Sequence, residues 1–294
     1  RAFCVTAVTA GYPLGATLTG LVANQIVPEF GWRSMFLLGG SLAILFTFIA
    51  LWFIPESIQF LCSKKPPLAL EKINGILIKL ARSPLKELPI IDPDTQSTTA
   101  DTQNVLEKMM SLLTPKFRSA TLRLWLTVFL CICSLYFLMS WIPKLIINLD
   151  YPEAIANLAF TLFNLGGVLG IFCLGYLASL WRLSNLIAVF SIIASTLMCL
   201  FAIAVSSASG QTTLMILIFI IGFTLSGGYT GLYAVAAKIY PIAIRSTGVG
   251  WAIGLGRSGA VIGPAIAGYM ISAGFSVTAN FITFAVPILI GGLL

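Results

Sequence analysis

The sequence predicts an all-α integral membrane protein with eight transmembrane helices. Three observations carry that prediction. Of the 294 residues, 58% are hydrophobic and 9% charged, with a mean hydropathy of +0.99, whereas a soluble domain carries roughly a quarter charged residues. A bilayer core requires about 20 apolar residues per helix. Eight such runs occur, near residues 2–27, 33–54, 122–147, 154–178, 183–205, 213–237, 247–272 and 276–294. The third observation is the placement of the 17 Lys and Arg, ten of which fall between Lys64 and Arg123 in one long polar loop. With that loop on the cytoplasmic side, alternating helices bring Arg1, Arg182, Lys238 and Arg245 to the same side. Only Arg33 and Lys144 remain at the outer face, and Arg257 lies within the membrane. This is a positive-inside bias. The net charge of +7 is therefore a topology signal and not a sign of nucleic-acid binding.

Taken in order, two helices precede the loop and six follow it, so the expected divisions are residues 1–55, a cytoplasmic loop 56–120, and a six-helix set 121–294. Within the loop, "LALEKINGILIKLAR" places Leu70, Ile73, Leu77 and Leu80 on one helical face and Lys72, Lys79 and Arg82 away from it. That pattern predicts a helix lying on the inner membrane surface. The following "SPLKELPIIDPDTQSTTADTQN" reads as flexible linker. The runs 33–54 and 183–205 carry little polar chemistry beyond Ser and Thr and are expected to be outer, lipid-facing supports. The chain opens at Arg1 directly into one apolar run and stops at Leu294 within another; it is expected to be a fragment that does not transport by itself.

An internal repeat organises the helices. Gly11, Gly15 and Gly20 share the spacing GxxxGxxxxG with Gly166, Gly170 and Gly175 and with Gly259, Gly263 and Gly268. Between the second and third copies, 93 residues apart, "NLGGVLGIFCLGYL" aligns with "RSGAVIGPAIAGYM". Such a period spans three membrane helices, so consecutive units point in opposite directions, as in the inverted repeats of secondary transporters. Small residues at every fourth position equally serve close helix packing.

Enzyme chemistry finds few parts here. Six cysteines, at 4, 62, 131, 133, 173 and 199, form no CxxC pair, and the chain has no histidine, so zinc sites and Ser/His or Cys/His catalysis lack their components. No P-loop sequence occurs, and no cofactor is implied. The polar residues inside the apolar runs are the candidates instead. Arg257, in "GVGWAIGLGRSGAVIGPAIAGYM", stands near the bilayer centre, where an arginine costs roughly 2.5–3.5 kcal/mol on translocon scales. Gly250, Gly254, Pro264 and Gly268 share its face by helical spacing, so that face is expected to meet protein or a cavity. Guanidinium suits a carboxylate because it donates two parallel charge-assisted hydrogen bonds; pairing with an acid or carbonyls elsewhere is the structural alternative. Asn157, Thr161 and Asn164 form an i, i+4, i+7 stripe, and Asn164 aligns with Arg257 in the repeat. It serves either substrate binding or helix association. Tyr229 and Tyr233, one turn apart, point inward or anchor at an interface. Tyr136 and Trp141 are further candidates, with core packing as their alternative.

The stretches "RAFCVTAVTAGYPLGATLTG", "FGWRSMFLLGG", "IPESIQFL", "YFLMSWIPKLI", "FNLGGVLG" and "IYPIAIRSTGVGWAIGLGRSGAVIGP" resemble the aromatic acid:proton symporters of the major facilitator superfamily. The resemblance implies a partial major facilitator fold, with family helices five to twelve present and the proton-coupling acidic motif of the first helix upstream of Arg1. Two departures stand out: Ser179 and Leu180 occupy the places of an Asp-Arg pair in "GYLASLWRL", and Gln59 stands where an arginine is common.

The expectation is a proton-coupled importer of an aromatic carboxylate of benzoate or hydroxybenzoate type. It would work by alternating access as a monomer in the bacterial inner membrane, with protons and the lipid bilayer as its other partners. Arg257 would hold the carboxylate, Tyr229 and Tyr233 the ring, and Asn164 would assist from the facing helix. Transport of another organic acid, a sugar acid or an exported compound is the alternative, as is a non-transporting membrane receptor. Which aromatic acid is carried is not legible.

Overall fold

The computed structural model describes residues 2–53, 55–56, 58, 61–62, 66–79, 81–85, 87–88, 105–207 and 210–294. Among them are eleven helices: α1 (Ala2–Phe30), α2 (Arg33–Phe53), α3 (Ala69–Lys79), α4 (Val105–Leu112), α5 (Arg118–Ile147), α6 (Glu153–Leu177), α7 (Leu183–Ser206), α8 (Gln211–Ile239), α9 (Ile242–Gly256), α10 (Gly259–Ser272) and α11 (Val277–Leu293). All eight apolar runs are helical. By length and composition, α2, α5, α6, α7 and α8 are able to cross a membrane, and α11 is a shorter apolar helix. The seventh run departs from expectation: it is two helices, α9 and α10, separated by a turn at Arg257 and Ser258. Most of the expected linker, residues 89–104, lies outside the described residues, as does Leu80.

By packing, the chain forms two compact units, Arg1–Gln25 with Asn104–Leu294, and Ile26–Gln103. In the second, α2 buries none of its side chains, and Trp52 is 90% exposed, as befits a helix whose apolar surface faces lipid. The amphipathic helix α3 buries Ile73 against Leu61 and Cys62, with Ile76 and Leu77 alongside. The centre of its apolar face is thus occupied by protein, which departs from a helix that simply lies on lipid. Asn74 ties α3 to the following segment in both directions, donating to Leu85 O (3.0 Å) and accepting from Leu85 N (2.8 Å).

In the larger unit, glycines set how closely the helices approach. A Cβ added at Gly166 or Gly170 on α6 would collide with Phe219 O or Phe223 O on α8, and one at Gly222 on α8 with Phe163 O on α6. On α10, a Cβ at Gly259 would stand 2.7 Å from Phe129 O, and one at Gly263 would strike Cys133 O on α5. Only a hydrogen in place of a side chain permits such backbone contact. The two interfaces correspond through the repeat: Gly259 and Gly263 align with Gly166 and Gly170, and Phe129 and Cys133 stand 90 residues before Phe219 and Phe223. The remaining glycines of the pattern differ. A Cβ at Gly20 would strike Thr161 and one at Gly268 would stand 3.0 Å from the Trp141 ring, whereas one at Gly11 or Gly15 would meet nothing within 4 Å, and Gly175 is exposed.

The core behind these helices is aromatic at one end, where Phe137 stacks on Phe284 at 4.1 Å and Phe201 on Phe281 at 4.2 Å. Ser134 on α5 and Ser195 on α7 donate to Phe284 O (2.7 Å) and Ala285 O (2.9 Å). The outer face of α7 exposes Ile192, Ile193, Leu200 and Ile203, matching the lipid-facing support read from its sequence.

Gly170→Ala is expected to force α6 and α8 apart and cost about 1–3 kcal/mol as overpacking. Gly75→Ala, on α3 with nothing within 4 Å, should be neutral or slightly stabilising. Thermal midpoints of the purified protein in detergent will separate the two; equal midpoints would contradict the close-approach account.

Candidate functional site

The backbone contacts just described hold α6 against α8 and α10 against α5, and a cavity of about 290 Å³ opens on the wall they form. Its lining includes Tyr12 from α1, Tyr136 and Met139 from α5, Phe163 and Asn164 from α6, and Ser226, Tyr229, Thr230 and Tyr233 from α8. Arg257, from the turn between α9 and α10, completes it. A second cavity of similar volume, among α5, α7, α8 and α11, is lined mostly by aliphatic side chains with Arg123 and Ser184. It gathers none of the residues singled out in the sequence.

Arg257 owes its position to the break in its span. Its N–H still donates to Ile253 O (2.9 Å), but Ser258 N donates to Leu255 O (3.1 Å) and Ala260 N to Arg257 O (2.9 Å), a tightening to three-residue hydrogen bonding. The flanking glycines seat this turn on α5. Gly256 abuts Val128, and Gly259 lies over Phe129 O and Cys133. The expected face of Gly250, Gly254, Pro264 and Gly268 is therefore divided. Gly250 and Gly254 stand open, while Pro264 O and Gly268 both face Trp141.

No acidic residue is found among the described residues lining the cavity. Arg257 shares the lining with Tyr12, Tyr136, Tyr229 and Tyr233. Tyr229 and Tyr233 share a hydroxyl–hydroxyl hydrogen bond, with their rings edge to face at 5.2 Å and 72°. The site is thus one cation set among phenol hydroxyls and aromatic edges. Such a lining can bind an anion with an attached ring, but it contains no carboxylate, thiol pair or imidazole with which to do covalent chemistry.

Five of the six residues expected to bind substrate (Arg257, Asn164, Tyr229, Tyr233 and Tyr136) come together here. Trp141 does not line the cavity. Its Nε1 donates to Pro264 O at 3.0 Å, fastening α5 to α10. The stripe on α6 also divides: Asn157 Nδ2 donates to Asn24 Oδ1 on α1 at 2.8 Å, Thr161 lies against Gly20, and only Asn164 reaches the cavity. Tyr12, Met139, Phe163, Ser226 and Thr230 were not anticipated. Tyr12 carried a signal, since it sits between Gly11 and Gly15 on an otherwise aliphatic run. The others read as ordinary core residues.

Residues 124–294 match the family model described as the Major Facilitator Superfamily. The chain is 30% identical to the 4-hydroxybenzoate transporter PcaK of Acinetobacter baylyi, covering 98% of this chain and 61% of that protein. It is 30% identical to a gallate transporter of Pseudomonas putida, covering 98% and 62%. Identity to the benzoate transport protein of Acinetobacter baylyi is 29%, covering 99% and 60%. The chain spans about three fifths of the length of these relatives, all of them named for transport and none for catalysis.

Because Trp141 fastens helices, Trp141→Phe should destabilise the protein by about 1 kcal/mol, the net value of one buried hydrogen bond. A lowered thermal midpoint is the expected reading, and an unchanged one would remove that role.

Proposed function

The chain belongs to the major facilitator superfamily, and from that premise we propose that it acts in the proton-coupled uptake of an aromatic carboxylate by alternating access. The observation that carries the reading is the cavity: a guanidinium, four tyrosines and an asparagine share its lining, with no acid among the described lining residues to neutralise the cation. Arg257 holds the carboxylate through paired charge-assisted hydrogen bonds. Tyr136 and Tyr229 pack the ring, Tyr233 holds the Tyr229 hydroxyl, and Asn164 contacts the substrate from α6. The names of the relatives, for 4-hydroxybenzoate, gallate and benzoate transport, support a benzoate-like or hydroxybenzoate-like anion.

The placement of charge supports the setting. With the segment 56–120 cytoplasmic, the cations gather on the inner side, as in a multi-pass protein of a bacterial inner membrane. Two six-helix bundles then form around residues 1–55 and 121–294, and the protein works as a monomer.

Cells expressing the gene that encodes this chain should accumulate labelled 4-hydroxybenzoate, and a protonophore should abolish the accumulation. Uptake indifferent to the protonophore would reject symport, and no uptake from a membrane-localised protein would reject this substrate. Arg257→Lys should weaken affinity roughly tenfold or more, since lysine keeps the charge but loses the planar fork. Full affinity in that variant would rule out the paired hydrogen bonds.

A further inference from the structure

The two sides of the cavity differ in chemistry. Arg257 belongs to the span of α9 and α10, which packs on α5; Asn164 belongs to α6, which packs on α8. Helices α5 and α8 each contact both α6 and α9, and so stand between the two polar residues. The tyrosines lie on those intervening helices, Tyr136 on α5 and Tyr229 on α8. A ligand that places a carboxylate at Arg257 and its ring over the tyrosines therefore directs the opposite ring edge toward α6.

What α6 and α8 offer at that edge is set by local hydrogen bonding. Asn164 is 2% exposed, and its Nδ2 donates to Phe160 O at 2.9 Å. A carbonyl only accepts, so the amide nitrogen must face it. The carbonyl oxygen Oδ1 is then the principal group that Asn164 has left for a ligand. Ser226, on α8, lines the same cavity, and its Oγ lies where Gly167 of α6 leaves room: a Cβ at Gly167 would stand 2.8 Å from it. A buried amide oxygen facing an apolar ring edge would carry a desolvation penalty. A ring hydroxyl relieves it by donating to Oδ1, with Ser226 Oγ as its second partner.

Resting on the aromatic-acid reading above, we propose that Asn164 and Ser226 form a hydroxyl-reading subsite that makes the protein select ring-hydroxylated aromatic acids over unsubstituted ones. A site built to hydrogen-bond a substrate hydroxyl discriminates against the analogue that lacks it, because the site's own polar groups are then left unpaired. Arg257 supplies affinity common to both acids, whereas Asn164 and Ser226 supply the difference between them.

The test is uptake of labelled 4-hydroxybenzoate and labelled benzoate, measured side by side in the same cells, for the unmodified protein and for Asn164→Leu and Ser226→Ala. The ratio of the two uptakes does not depend on how much protein reaches the membrane. The unmodified protein should favour the hydroxylated acid, and Asn164→Leu should lower the ratio about tenfold or more, the effect of one hydrogen bond to a buried polar group. Ser226→Ala, the milder change, should move it in the same direction and serves as the reading if the leucine variant is lost from the membrane. Transport of both acids with ratios unchanged by either substitution would overturn the subsite while leaving the aromatic-acid reading intact. Transport of neither acid by the unmodified protein would overturn that reading and the subsite with it.

Discussion

The contact of helix backbones through glycine is the constraint on which the rest of the larger unit depends. At Gly170 against Phe223 O and at Gly263 against Cys133 O, the approach leaves no space for even a methyl group. In a bilayer, lipid tails are as apolar as the helices, so association relies on van der Waals contact and hydrogen bonds and little on the hydrophobic effect. Close approach supplies both. It brings α6 onto α8 and α10 onto α5, and those four helices carry Asn164, Tyr229, Tyr233 and Tyr136, with Arg257 entering at the N-terminal edge of α10. The same contacts leave the outer face of α7 to the lipid.

A guanidinium inside an apolar span is costly, and the structure shows how the cost is contained. The helix is interrupted at Arg257 and Ser258, with Gly256 and Gly259 pressed onto α5 to hold the turn. Interrupted helices at membrane depth are tolerated where the freed backbone lies against protein or lines a cavity, and this one does both. Four tyrosines share the cavity with the arginine, and neutral phenols leave its charge unneutralised. A carboxylate partner would make Arg257 a structural residue; the described lining residues include none, and this supports the proposed binding role.

Much of this was legible in the sequence, and the reasons are physical. Apolar runs of helix-spanning length fell on helices among the described residues, five of them able to cross a membrane, because the bilayer leaves a chain few other solutions. The GxxxG spacing marked the α6–α8 and α5–α10 contacts, since only glycine permits that approach. Arg257, Asn164 and the tyrosine pair announced themselves as polar groups in apolar surroundings. The helix break at Arg257 did not, because the run is rich in residues compatible with both a helix and a turn. Trp141 stayed ambiguous for a related reason: an aromatic ring with one polar atom serves a cavity or a helix contact equally well until the carbonyl of Pro264 is seen beside it. Ser226 and Thr230 were hidden because a lone hydroxyl in a membrane helix commonly bonds its own backbone, as Thr230 does with Ser226 O. The divided roles of Asn157, Thr161 and Asn164 depend on where α1 crosses α6, which no local pattern encodes.

The central claim is that Arg257 holds the carboxylate of the ligand, and ligand charge tests it most directly. Equilibrium binding of 4-hydroxybenzoate and of its uncharged counterpart 4-hydroxybenzamide would be measured on purified protein, for the unmodified chain and for Arg257→Ala. The account predicts that the acid loses affinity on the order of thirtyfold or more when the guanidinium is removed, while the amide binds both proteins alike. If the acid and the amide weaken together, Arg257 shapes the cavity without recognising the carboxylate, and the assignment fails.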